Sequence, residues 1–244
     1  MSGIRHVATA PTETRRLGPG SDVTPHSHDT HQIVYASSGV LEVLVPEGTW
    51  FTPSVRAVFV PSGTVHSWTV HGSATVHLVG VPEFPGTPPL PFLVPATPLF
   101  RELAVACADA GAPVTAAQHR LLGVLTDQLV ATDAPPTMLP TVHDPRLRDV
   151  QRVVEEDLSA TLPLAALGRR VGASERTLSR LFRAECGMGF TTWRHQVRLH
   201  RATLLLADGA PVTQVAAACG YSSPSAFITA FRSSFGRTPG SLYR

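Results

Sequence analysis

The C-terminal part of this 244-residue chain repeats itself, and the repeat limits what that part can fold into. The stretch "PLAALGRRVGASERTLSRLFRAECG" from Pro163 overlies "PVTQVAAACGYSSPSAFITAFRSSFG" from Pro211. Pro163, Leu164, Leu167 and Gly172 match Pro211, Val212, Val215 and Gly220 at an offset of 48; Leu178, Phe182, Arg183 and Gly187 match Phe227, Phe231, Arg232 and Gly236 at 49. Each copy reads as a helix of about eight residues, a turn, and a second helix with apolar residues at helical spacing, the layout of a helix-turn-helix. Gly172 and Gly220 can take the positive φ that ends a first helix and lets a second cross it steeply. Ser174 in one copy, and Ser222 or Ser223 in the other, can cap the second helix. Leu167, Val171, Leu178, Leu181 and Phe182 supply one small core, and Val215, Cys219, Phe227 and Phe231 the other. Between the copies, "TTWRHQVRLHRATLLLADG" reads as one long helix ended by Gly209, carrying Arg194, Arg198 and Arg201 and fixing how the two units are spaced.

Charge separates the same region from the rest. Residues 1–145 hold 6 Arg against 11 Asp and Glu, a net of −5, whereas residues 146–244 hold 14 Arg against 7, a net of +7. Two helix-turn-helix copies on an Arg-rich, cationic segment point to double-stranded DNA. Residues 146–244 resemble the DNA-binding domain of the AraC/XylS family of transcriptional regulators, most specifically over "VTQVAAACGYSSPSAFITAFRSSFGRTPGSLYR" with its closing Gly-x-x-Pro-x-x-x-x-Arg. The resemblance implies that Arg176, Thr177, Ser179 and Arg180 form the exposed face of the first recognition helix. Arg176 and Arg180, one turn apart, can each meet guanine O6 and N7 bidentately. In the second unit Ser223, Pro224, Ser225, Ile228, Thr229 and Arg232 stand at the corresponding positions. That face is weakly polar, so it is expected to position the protein on phosphates while the first unit reads most of the sequence. For Arg183 and Arg232 a solvated or salt-bridging role is an equal alternative to phosphate contact.

The N-terminal part reads differently. From Thr14 to Val81, short β-rich runs such as "HQIVYAS", "VLEVLVP", "RAVFVPS" and "TVHLVGVP" are punctuated by Gly, Pro and Ser, as in a β-sandwich or barrel. Seven prolines between Pro82 and Pro98 exclude a helix there and suggest a linker or a strap across the barrel. "LFRELAVACADAG" and "TAAQHRLLGVLTDQLVAT" then carry helical periodicity, and "DAPPTMLPTVHDP" follows. These two helices can form a connector or dimerisation element, or simply cover an open face of the barrel. Asp144 is the expected N-cap, and Pro145 the first residue, of the helix that opens the C-terminal domain. The fold expected is α+β and multidomain: a β-barrel with its Pro-rich strap over 1–97, a helical connector over 98–143, and an all-α domain with two helix-turn-helix units over 144–244.

Within the β region, "GSDVTPHSHDTHQIVYASSG" spaces Gly20, His26, His28, Gln32 and Gly39, and "PSGTVH" adds Pro61, Gly63 and His66. This pattern resembles the two motifs of the cupin superfamily, with Gln32 standing where Glu is usual, Val70 where Asn is usual, and Val55 in place of the leading Gly of the second motif. The resemblance implies a site of His26, His28, Gln32 and His66 for a divalent Zn, Ni, Mn or Fe ion. His26 and His28, two apart on an extended segment, face the same way. Gln in place of Glu removes a negative charge, which shifts preference toward imidazole-loving metals. His31 is expected to face away, and His71 and His77 to be ordinary core or surface histidines. A metal-free cupin whose histidines bind an organic ligand remains the alternative.

No apolar run approaches the roughly 20 residues that span a bilayer, and "MSGIRHVATAPTETRRLG" has no apolar core of a signal peptide. A cytoplasmic protein is therefore expected. The odd, scattered Cys107, Cys186 and Cys219 fit reduced core residues. Together these readings describe a regulator, not an enzyme: promoter DNA, an unidentified small-molecule or metal effector, RNA polymerase and a second copy of the chain are the partners expected. The competing reading is a metal-dependent cupin dioxygenase or isomerase with a helical appendage. Its weakness is that Asp29 and Glu42 are the only carboxylates near the histidines, and neither sits at a ligand position. A nucleoid-type binder without effector control is a third.

Overall fold

A computed structural model describes residues 4–84, 86, 90–113, 115–129 and 138–243. They fall into two compact units that divide between residues 129 and 138, with Glu47–Thr49 counted in the second. The first unit contains β1 (Arg5–Val7), β2 (Glu13–Leu17), β3 (Asp22–His28), β4 (His31–Val45), β5 (Gly48–Pro53), β6 (Arg56–Val60), β7 (His66–Val81), β8 (Phe92–Pro95), α1 (Pro98–Ala110) and α2 (Ala116–Asp127). Its spine is β7, which runs antiparallel to β4 from Ser67↔Leu44 to Val81↔His31. Along its other edge β7 pairs first with β3 and then with β2. Strand β1 adds to β3 in parallel, and β6 joins β4 to β8.

Alternation along these strands builds two faces. Ile33, Tyr35, Ala57, Phe59, Val79 and Val81 form one core with Phe100, Leu103, Ala104 and Cys107 of α1 and Leu125 of α2. The residues between them, among them Gln32, Val34, Val60 and Leu78, are buried on the opposite face. The helix pair therefore covers one face of the sheet, the covering role considered above. The segment 98–143 divides: α1 and α2 pack within the first unit, and residues 138–143 go with the second. Part of the Pro-rich stretch is a strand, β8, and Pro98 opens α1 beneath the Thr97 cap. Pro85, Pro88 and Pro89, like 130–137, lie outside the described residues.

In the second unit, β9 (Met138–Pro140) precedes α3 (Pro145–Glu156), α4 (Leu164–Arg170), α5 (Glu175–Cys186), α6 (Phe190–Ala207), α7 (Val212–Ala218), α8 (Pro224–Phe235) and α9 (Pro239–Leu242). Asp144 caps α3, its carboxylate accepting from the Arg146 amide at 2.9 Å. The repeat appears as α4–turn–α5 and α7–turn–α8. Ser174 Oγ accepts from the Thr177 amide and Ser223 Oγ from the Ala226 amide, each at 3.1 Å, so Ser223 and not Ser222 is the second cap. Leu147, Leu167, Leu178, Phe182 and Trp193 share the first core, and Phe227, Phe231 and Phe235 run in ring contact through the second. The last residue of the closing motif, Arg244, lies outside the described residues.

Two arginines that count toward the cationic surplus are internal fasteners. Arg194 donates to the Leu162 carbonyl at 3.0 Å and lies 4.9 Å over the Phe190 ring. Arg198 donates through Nε and an Nη to the Leu158 carbonyl at 3.2 and 2.9 Å. The second turn closes over this same point. Gly172 and Gly220 both have positive φ, 67° and 72°, but a Cβ on Gly220 would lie 2.2 Å from the Leu158 oxygen and 2.7 Å from Arg198, whereas Gly172 has open space. Gly172→Ala is therefore expected to cost about 1 kcal/mol, the backbone penalty alone. Gly220→Ala adds a clash with a backbone oxygen, and about 3 kcal/mol is expected. Urea midpoints of the two variants test this ordering.

Candidate functional site

His26, His28 and His66 come together on the inner face of the first unit. His26 pairs in register with His66 across β3 and β7, and His28 follows two residues along β3, on the same side. The ring centroids of His26–His66 and His28–His66 are 4.3 and 4.9 Å apart. One ligand atom from each of the three rings lies within 4.8 Å of the others, the sole such cluster of His, Cys or acidic groups among the described residues. The turn before His66 is held from below: the Gly63 amide donates to the His28 carbonyl at 2.8 Å, and the Ser62 amide donates to His31 Nδ1 at 3.0 Å. His31, stacked on Phe59, faces away from the cluster yet clamps the turn that delivers His66. Nothing in the spacing of the histidines signalled that role.

Each imidazole of the cluster is locked in one tautomer. His26 Nδ1 lies 2.9 Å from the Thr24 carbonyl, His28 Nδ1 2.6 Å from that of Thr30, and His66 Nδ1 3.0 Å from that of Thr64. A carbonyl only accepts, so each Nδ1 carries the hydrogen and each Nε2 keeps a lone pair for the interior. Burial pushes His66 down to about 4 and also lowers His26, where His28, Arg5 and Arg15 add repulsion and the Thr24 carbonyl opposes it. Both shifts favour the neutral imidazole of His26 and His66. Gln32 completes the set from β4: its Oε1 lies 3.3 Å from His28 Nε2 and 3.2 Å from His66 Nε2.

Oxygen against two nitrogen lone pairs is repulsive, and two arrangements relieve it. A cation between them accepts all the lone pairs. Alternatively the amide turns over, and its NH2 donates one hydrogen to each imidazole. The donor set thus fits a transition metal that prefers imidazole, and without one the turned amide still satisfies His28 and His66.

No carboxylate joins the three-histidine cluster among the described residues. Asp29 pairs with His6 at 3.3 Å on the surface, and Glu42 pairs with His71 at 2.8 Å. His77 lies 2.9 Å from both Thr14 Oγ1 and Ser37 Oγ and stacks on Tyr35. Beside His26 and Gln32 opens a cavity of about 350 Å³, walled by Val7, Val23, Trp68 and Leu78 and reached by Arg5 and Arg15.

In the second unit, Arg176, Thr177, Ser179, Arg180 and Arg183 line one concave face of α5. Arg176, Arg180 and Arg183 are exposed and form no ion pair among the described residues. Thr177 is half-buried, with its hydroxyl 2.8 Å from Ser174 Oγ, so it belongs partly to the cap. Arg183 joins this face, a placement that sequence spacing left open. On α8, Ser225, Thr229 and Arg232 are exposed, while the hydroxyl of Ser223 is spent on the helix cap.

Residues 14–83 match the model of an AraC-like ligand-binding domain, and residues 167–244 that of a helix-turn-helix domain. The chain is 33% identical to the HTH-type transcriptional regulator NimR of Escherichia coli K12, over 88% of this chain and 80% of that protein. The chain belongs to the AraC family of transcriptional regulators. A second AraC-type relative, the transcriptional activator NphR of a Rhodococcus species, is 36% identical over 60% of this chain and 45% of its own. An AraC-type DNA-binding domain structure from Chromobacterium violaceum has 30% identity, a TM-score of 0.39, and covers 41% of this chain and 89% of its own. These AraC-family relatives are regulators, which sets aside the cupin-enzyme reading. As an AraC-family member the chain binds DNA through its helical domain and a small effector through its β domain. No described helix is long and apolar enough to cross a membrane.

Proposed function

We propose that this regulator senses a divalent transition metal, Zn, Ni, Mn or Fe, through His26, His28 and His66 with Gln32 as fourth donor, and reports it to promoter DNA. The observation that carries the reading is the threefold pinning of Nδ1 to backbone carbonyls, which presents three Nε2 lone pairs at one point. When bound, the ion would supply a positive charge that holds β3, β4 and the turn before His66 together. The residues do the rest: they fix the approach of the strands, and the ligand shifts the conformational equilibrium only by its differential affinity for the two states. On DNA, Arg176 and Arg180 read bases in the major groove, with Thr177 and Ser179 beside them. Ser225, Thr229 and Arg232 place the second unit against the phosphates, and Ser223 contributes by capping the helix that carries them. The protein acts in the cytoplasm as a homodimer, with RNA polymerase as a downstream partner.

A second reading has its own support. The Gln32 amide can satisfy His28 and His66 alone, so the cluster can serve as the polar floor of an organic-effector pocket. Elemental analysis of the purified full chain, paired with a mobility shift on upstream DNA against random competitor, separates the readings. A specific shift with about one metal per chain is expected; a specific shift from metal-free protein that takes up none of the four ions favours the second.

A further inference from the structure

The cavity beside the histidines has a chemical polarity of its own. Strand pairing fixes it: Arg5 is the register partner of His26, and His26 that of His66, so a guanidinium and two imidazoles stand in one row across β1, β3 and β7. A register shift between Val23 and His26 then turns both residues to the inner face although they are three apart. Val23 consequently faces the cavity opposite Trp68, its register partner, and these two with Val7 and Leu78 make an apolar wall around a space of about 350 Å³.

The two guanidiniums differ. Arg15 is occupied, donating through both Nε and an Nη to Glu13. Arg5 makes no hydrogen bond or ion pair among the described residues and lines the cavity at its histidine end. The one carboxylate on the lining, Asp22, pairs in register with Thr69 beyond the bulge and is exposed. An unpaired planar donor fork beside an apolar wall suits a carboxylate on a flat apolar body.

We infer that this cavity takes a second ligand beside the metal site, a small organic acid with a flat apolar body, its carboxylate held by Arg5 beside His26 and its body against Trp68 and Leu78. The volume suits a ligand of one ring system, and the indole of Trp68 offers a flat surface for it. This inference rests on the reading of the β domain as the sensor. A metal held by the histidines would add positive charge at the carboxylate end and reinforce the preference.

The test is calorimetric titration of the full chain with three acid and amide pairs: benzoate and benzamide, phenylacetate and phenylacetamide, cinnamate and cinnamamide. Each is run in chelator and again with Zn restored. At least one acid is expected to bind, with its amide weaker by about ten-fold or more. Arg5→Ala and Arg5→Gln should bring the acid down to the level of the amide while melting at the wild-type temperature, since Arg5 is exposed on an edge strand. Amides that bind as tightly as acids, or an acid preference that survives both variants, overturn the anion assignment and leave the sensor reading standing. If none of the six compounds binds, the inference fails; a DNA affinity that still answers to metal then keeps the sensor reading, and one that does not removes both.

Discussion

Arg176→Ala and Arg180→Ala are each expected to weaken binding of the full chain to its specific site by about 1–3 kcal/mol and to relax the base preference at one position. Both side chains are exposed, without an ion pair among the described residues, and one turn apart on α5, placed to meet guanine edges with both Nη groups. Because the two sit on one helix face, their effects need not add in the double variant. Affinity for random DNA should fall much less, because phosphate contacts carry most of it. On α8 the side chains at the corresponding positions are small hydroxyls, so Ser225→Ala and Thr229→Ala should each change specific affinity by less than about 1 kcal/mol. Fluorescence anisotropy on a specific duplex and a scrambled one separates these cases. Equal losses on both duplexes would place Arg176 and Arg180 on phosphates. Arg198→Ala should act differently: it removes two hydrogen bonds to Leu158 and lowers the melting temperature of the helical domain, with DNA binding lost only as folding is lost.

Gln32→Glu is expected to change the histidine cluster in two opposite directions. Without metal, the carboxylate has no hydrogen to give His28 and His66, so two hydrogen bonds are replaced by repulsion between lone pairs. Loss of about 1–3 kcal/mol in stability in the presence of chelator follows from the burial of those groups. With metal, the added negative charge strengthens the donor set, and affinity for Zn or Ni should rise by about ten-fold or more. The gap between melting temperatures in chelator and in Zn therefore widens in the variant. A gap that stays at the wild-type value would show that Gln32 does not face the ion.

The parts of this molecule that were readable from sequence are those in which local physics demands a residue type. Positive φ at the turns asks for Gly172 and Gly220, helix caps for Asp144, Ser174 and Ser223, and small helical cores for Leu178, Phe182, Phe227 and Phe231. The repeat made all of these but Asp144 visible twice, while leaving Ser222 and Ser223 both open as the second cap. His26 and His28 were readable because a period of two on a strand puts both on one face. What stayed hidden depends on long-range pairing. Arg5 matters only because β1 lies in parallel beside β3, and three residues carry no periodic signal. The bulge that aligns Val23 with His26, the clamp of His31 on the turn at Ser62, and the capture of Leu158 by Arg198 across 40 residues are likewise set by tertiary contacts. Arg194 and Arg198 show the limit most clearly: charge counting includes them in the cationic surplus, whereas folding uses both to satisfy the Leu162 and Leu158 carbonyls.

A sensor of this kind works only if the β domain speaks to the helical one. The most direct measurement is the affinity of the full chain for its specific duplex in chelator, then with Zn, Ni, Mn or Fe restored singly, beside a His26→Ala, His66→Ala double variant. A change of about five-fold or more with one metal, absent in the variant, is the result predicted. Identical affinities under every condition, from protein shown to hold the metal, would contradict it.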